Sequence, residues 1–267
     1  MKDHDLTDST LKFYAFDDRD TPSFKLTKDL TEISGFAMDA RGRLFGHGDE
    51  EGVIYQIDPA SGEIVKTFDV GSKKLKEDFE GLAIAGKTFY LVNSSGELFE
   101  FEEGANGEAV EYTKYSTHLS GKNDVEGLCY DPVNNSLLLA CKDDPGKGLG
   151  MVRAVYEFSL FERRLASRPV FTIAQEDVSD YIAGSFMPSG IEYIPGSNTF
   201  YIIASKGFSI VEINRAGDLL GVRRLNGHLH DQPEAIAIAA DRTLYIGDEG
   251  GDGRGFFTVY TPTEPLE

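Results

Sequence analysis

The 267-residue sequence predicts an all-β fold: one five-bladed β-propeller of four-stranded antiparallel blades, its ring closed by an N-terminal strand. Three observations predict it. A short motif, in which a small or acidic residue precedes Gly or Ala and then alternating apolar positions, occurs five times. Its copies recur at near-equal spacing. Each copy is followed by further β-rich runs separated by turn signals.

The five copies read Ser34-Gly35-Phe36-Ala37-Met38, Glu80-Gly81-Leu82-Ala83-Ile84, Glu126-Gly127-Leu128-Cys129-Tyr130, Ser189-Gly190-Ile191-Glu192-Tyr193 and Glu234-Ala235-Ile236-Ala237-Ile238. Their first residues lie 46, 46, 63 and 45 positions apart. The repeats thus start near residues 32, 78, 124, 187 and 232, and residues 1–267 read as a single domain. A turn such as Asp39-Ala40-Arg41-Gly42 leads from each copy into a second run, for example Thr88–Val92 or Thr199–Ile203. A third run alternates strictly, as in Val53-Ile54-Tyr55-Gln56-Ile57 and Ile210-Val211-Glu212-Ile213. A fourth, such as Ile64–Phe68 or Leu219–Arg223, closes the unit.

The last unit ends at Phe256–Tyr260, one strand short. A strand within residues 11–27 is expected to complete it, either Phe24-Lys25-Leu26 or Lys12–Phe16, because an open sheet edge invites aggregation. The third unit carries extra length in the loop 142–148 and in 174–183. Within the latter, Gln175–Ile182 reads as a short helix, and an insertion confined to one blade is expected to form a lid or wall over one face.

Composition narrows the partners. The net charge of −19 repels nucleic-acid phosphate and anionic lipid and attracts cations, divalent ions first. No apolar run reaches the roughly 18 residues a membrane span needs, and Met1–Asp5 lacks the apolar stretch of a signal peptide. Of the two cysteines, Cys129 is expected to pair across a hairpin with about Leu138, which leaves Cys141 too distant for a disulfide. Two free, buried thiols are expected, as suits a reducing compartment.

The first strand of every propeller blade lines the central channel, so residues at its start converge on one mouth. Glu80, Glu126 and Glu234 hold that position in three of the five copies. Carboxylates gathered so closely cannot all stay ionised without a counter-charge. Calcium, which accepts six to eight oxygen ligands in irregular geometry, is the cofactor this pattern suggests. Asn93 and Asp248, at the ends of second strands, are candidates for further oxygen ligands, as are Asp49 and Asp143 with less support. The alternative is that each Glu bonds a neighbouring blade's backbone amide and serves packing alone.

These residues resemble the SdiA-regulated bacterial proteins. The resemblance rests on Glu80-Gly81-Leu82, Glu126-Gly127-Leu128 and Ser189-Gly190-Ile191, on the turn Asp131-Pro132-Val133-Asn134-Asn135 and on the loop Lys142-Asp143-Asp144-Pro145, and it covers about residues 30–262. It implies a five-bladed propeller with a calcium site, distantly similar to NHL-repeat propellers, and no established biochemical activity. Members of that family usually carry an N-terminal export or anchoring segment.

Weaker constellations remain. His47, His118, His228 and His230 lie in segments that could reach one face, and a His beside a metal-bound carboxylate could act as a general base. Lys142 and Lys206 are candidates for an anionic ligand beside the metal, or are simply solvated. Ser185 and Ser189 lack a nucleophile-elbow context, and Gly146–Gly150 leads into a strand and so is no phosphate loop. The leading reading is a calcium-binding propeller presenting a face to a small ligand or a protein. The alternative is a metal-dependent hydrolase of lactones or phosphoesters using the same ion.

Overall fold

The computed structural model describes residues 3–73 and 75–264. Five small sheets, each built on an antiparallel meander, make up the fold. Blade 1 comprises Ile33–Met38, Leu44–Gly48, Val53–Ile57 and Ile64–Val70. Blade 2 comprises Phe79–Ala85, Thr88–Asn93, Leu98–Glu102 and Tyr112–Tyr115. Blade 3 has Val125–Asp131, Ser136–Cys141 and Val152–Ser159, with its outer position split between Arg164–Leu165 and Phe171–Ala174. Blade 4 runs Met187–Ile194, Thr199–Lys206, Ser209–Ile213 and Leu219–Arg224. Blade 5 runs Pro233–Ile238, Leu244–Asp248 and Phe256–Tyr260.

The missing strand of blade 5 is Ser23–Lys25, which pairs antiparallel with Phe256–Thr258, so of the two candidates the one around Phe24 closes the ring. The other, Lys12–Phe16, does not form a strand. It enters a 3-10 helix, Thr10–Phe13, capped by the Ser9 side chain, and buries Leu11, Tyr14 and Phe16 beneath blades 4 and 5. Ser9 and Thr10 anchor this segment to a carboxylate. The fully buried Glu212 accepts from Ser9 Oγ (2.7 Å), Thr10 N (2.6 Å), Thr10 Oγ1 (2.9 Å) and Thr199 Oγ1 (2.7 Å).

Two features depart from the sequence reading. Ala109–Val110, between the third and fourth strands of blade 2, crosses to blade 1 and pairs parallel with Asp69–Val70, which covers that blade's outer edge. The helix in the third unit is only Gln175–Ser179, because the Tyr181 amide bonds Val178 three residues back and Gly184 then takes a positive φ of 82°. The 174–183 part of the insertion is anchored by Val178 and Ile182, which are buried with Phe186 in the seam between blades 3 and 4.

The apolar core is divided among the seams. Each of its five clusters joins two adjacent blades: 1 with 2, 2 with 3, 3 with 4, 4 with 5, and 5 with 1. Cys129 pairs with Leu138 as expected, and both cysteines are free and buried.

Candidate functional site

The repeated position at the start of each inner strand coincides with an irregularity. Strand register shifts at Ser34, Glu80, Glu126, Ser189 and Glu234, so every blade is irregular at this repeated position. A bulge inserts one unpaired residue and re-aims its side chain. The small residue that follows lets neighbouring inner strands approach: a Cβ on Gly81 would lie 2.8 Å from the Leu128 backbone nitrogen, and one on Gly127 3.0 Å from that of Ile191. The channel is therefore nearly closed. The cavity along it, lined by Ser34, Glu80, Glu126 and Glu234 among others, has a volume of about 10 Å³, room for about one water molecule.

Three carboxylates meet at this mouth. Glu126 and Glu234 are each only 6% exposed, and Glu80 is half-buried. Burial, followed by the charges of Glu126, Asp78 and Glu234, pushes the Glu80 carboxyl far above the usual carboxylate range. Burial, then the Glu126 charge, pushes Glu234 up to about 8. Glu126 is raised as well, by burial first, although Lys142 Nζ donates to its Oε1 at 2.8 Å. One ion pair does not outweigh the loss of water around Glu126. Burial disfavours the Lys142 ammonium too, but Glu126, Glu234 and Asp124 together hold its pKa above the ordinary lysine value. Lys142 is thus the resident counter-charge of the mouth. Lys206, its counterpart in blade 4, stays exposed.

The other residues singled out in the sequence lie apart from this group. Asn93 is buried, with its amide donating to Glu77 (3.2 Å) and Glu97 (3.1 Å). Asp248 is buried against His230 Nδ1 at 2.8 Å and accepts from the Gln232 amide at 3.1 Å. Asp143 is exposed, and Asp49 is half-buried with its backbone carbonyl accepting from Phe79. Among the described residues, no three His, Cys, Asp or Glu side chains converge, as they stand, closely enough to hold a metal ion.

Of the histidines among the described residues, only His230 has both ring nitrogens committed; His47 Nε2 is buried without a hydrogen-bond partner. His230 has both ring nitrogens engaged, the second with the Tyr260 hydroxyl at 2.7 Å, and is buried. His118 lies edge-on to Tyr156, and His228 is exposed. His47 is fully buried, edge-on to Phe79 of blade 2, and burial lowers its pKa to about 4. Ser189 bonds the Pro233 carbonyl at 2.6 Å and so ties blade 4 to blade 5. The sequence reading treated Lys142 as a minor candidate; its position one residue beyond the buried Cys141, at the end of the strand beside Glu126, was the available signal.

Comparison with solved structures supports the fold. The glutaminyl cyclase of Myxococcus xanthus superposes with a TM-score of 0.58 at 16% identity, covering 91% of this chain and 96% of that one. A luciferin-regenerating enzyme gives 0.56 at 13% identity over 90% and 95%. The PQQ-bound aldose sugar dehydrogenase of Streptomyces coelicolor gives 0.55 at 12% identity over 91% and 99%. At such identities the likeness is one of fold alone. No curated protein matches the sequence. No helix among the described residues is long and apolar enough to cross a membrane. The family comparison is decisive, because the match runs over residues 21–249 and takes in all five bulged inner strands: the chain belongs to the SdiA-regulated family.

Proposed function

We propose that this protein is a calcium-binding propeller that presents its channel mouth to a ligand or partner. The observation that carries the reading is the meeting of Glu80, Glu126 and Glu234, from three blades, in a desolvated mouth that disfavours their charges. The donor set is all oxygen, as a hard divalent cation requires, and the three carboxyls would have to draw closer and give up their protons to hold one. These three glutamates would hold the ion; Asn93 and Asp248 are engaged elsewhere. Calcium would supply the positive charge that Lys142 now supplies. The hydrolase alternative requires a base at the mouth; of the four histidines considered, His118 and His228 are exposed and His230 has both ring nitrogens engaged, while His47 Nε2 packs against Gly35 of the mouth without a hydrogen-bond partner.

The test is thermal melting with calcium and with chelator. Calcium should raise the melting temperature of the wild type, adding about 1.4 kcal/mol for each tenfold excess over the dissociation constant. Affinity should weaken as pH falls, since the ligands must be deprotonated. Glu126→Gln should bind calcium more weakly. Lys142→Met should bind it more tightly, because a competing cation is gone. Melting indifferent to chelator, with Lys142→Met equally indifferent, would overturn the reading.

A further inference from the structure

At the other end of the inner strands lies a larger cavity of about 380 Å³, within the size range of small-ligand sites. All five blades contribute to it, through Met38, Ile84, Tyr130, Glu192, Tyr193 and Ile238 among others. The repeat shows how it arises. The fourth position of the five-residue motif is Ala37 in blade 1, Ala83 in blade 2, Cys129 in blade 3 and Ala237 in blade 5. Of these, Ala37, Ala83 and Cys129 line the cavity and leave room in it. Blade 4 alone departs, placing Glu192 where packing by the rule of the other blades calls for Ala or Cys.

Among the described residues no ion pair joins Glu192 to a cation, and Arg242 packs against Gly196 at the edge of the lining. Glu192 Oε1 accepts from the Tyr193 backbone amide at 3.0 Å, and the cavity lining contains no Lys, Arg or His. The arginine beneath Tyr193, Arg215, is committed to Asp131 through a two-pronged ion pair. The other titratable groups of the lining are Cys129, whose thiol burial keeps neutral, and Tyr130 and Tyr193, whose hydroxyls turn to Asn135 (3.0 Å) and Asn198 (3.4 Å). A lone carboxyl in an apolar cavity is costly unless something pairs with it.

We propose that this cavity binds a small organic amine, its apolar body against the Ala, Met and Ile side chains and its ammonium paired with Glu192. Tyr130 and Tyr193 suit such a ligand, since aromatic rings attract cations. The proposal is independent of the calcium reading, which concerns the opposite end of the strands. It carries a signature. Burial raises the Glu192 carboxyl to about 8, so near neutral pH it is mostly protonated. Binding an ammonium ion must expel that proton, transferring it to buffer as the carboxylate forms.

The experiment is calorimetric titration, in chelator, of primary amines from butylamine to phenylbutylamine against the alcohols of the same skeletons. Run at pH 7 in two buffers of different ionisation enthalpy, it reads affinity and proton release together. The expected result is saturable binding of the longer amines with release of close to one proton, and binding of the alcohols at least about tenfold weaker. Glu192→Gln, which folds without the buried charge, should lose about tenfold or more in amine affinity and release no proton. Equal binding of amine and alcohol, undiminished amine binding by Glu192→Gln, or no saturable binding of any amine by the folded wild type would overturn the proposal.

Discussion

His47 of blade 1 and Glu234 of blade 5 are buried ionisable residues, and they tilt the pH dependence of stability in opposite directions. The His47 pKa falls from 6.5 to about 4 on folding. Between those values the unfolded chain binds the extra proton, so stability drops as pH falls from 6.5 towards 4. The loss is about 3 kcal/mol for a group this deeply buried. His47→Leu should abolish it, and urea unfolding at pH 4, 5, 6 and 7 would show a flatter profile for the variant. Glu234 has the reverse sign. Its pKa rises from 4.5 to about 8, so its contribution is intact below 4.5 and is lost as pH climbs through 8. In chelator, Glu234→Gln should therefore flatten the decline between pH 4.5 and 8. Equal slopes for variant and wild type would mean that the mouth is wetter than its burial indicates.

The N-terminal segment does more than supply a strand. Ser23–Lys25 satisfies the backbone of Phe256–Thr258, Leu11, Tyr14 and Phe16 fill the seam of blades 4 and 5, and Ser9 and Thr10 satisfy Glu212. Deleting residues 1–28 would expose a sheet edge, open the apolar seam and leave Glu212 buried with Thr199. Each of these alone costs on the order of 1–3 kcal/mol or more. The truncated chain should aggregate or fail to fold, read by size-exclusion chromatography and circular dichroism. A monomer that melts like the full chain would show that the ring does not depend on this closure. Adding Glu212→Gln to the full chain separates the anchor from the strand: it should lower stability and leave the protein monomeric.

At the scale of the molecule, placing the core in the seams decides how it unfolds. No blade owns an apolar cluster; each cluster needs two blades. A four-stranded blade taken alone would expose both of its faces, so blades are not independent folding units. Calorimetry should show one transition. Phe200→Ala, which empties a fully buried position in the seam of blades 3 and 4, should lower that whole transition by about 3–5 kcal/mol, with no early unfolding of blade 4. Two resolved transitions would contradict a shared core.

The repeat alone determined the blade count, the order of strands and the placing of Glu80, Glu126 and Glu234 along one small cavity, because alternation and period are properties of the chain read in one dimension. It left open which N-terminal segment closes the ring, since Lys12–Phe16 and Phe24–Leu26 are equally β-like; the seam beneath blades 4 and 5 claims the first for packing. The Ala109–Val110 crossover gave no local signal, because two residues form a strand only when another blade offers an edge. Asn93 and Asp248 sit at ends of second strands like the one that delivers Lys142, yet their side chains are held by Glu77, Glu97 and His230. Side-chain direction at a strand end is set by what surrounds it in three dimensions. For the same reason Glu192 read as one more residue of a repeat, and only the fold places it in a cavity lined by its small counterparts Ala37, Ala83 and Cys129.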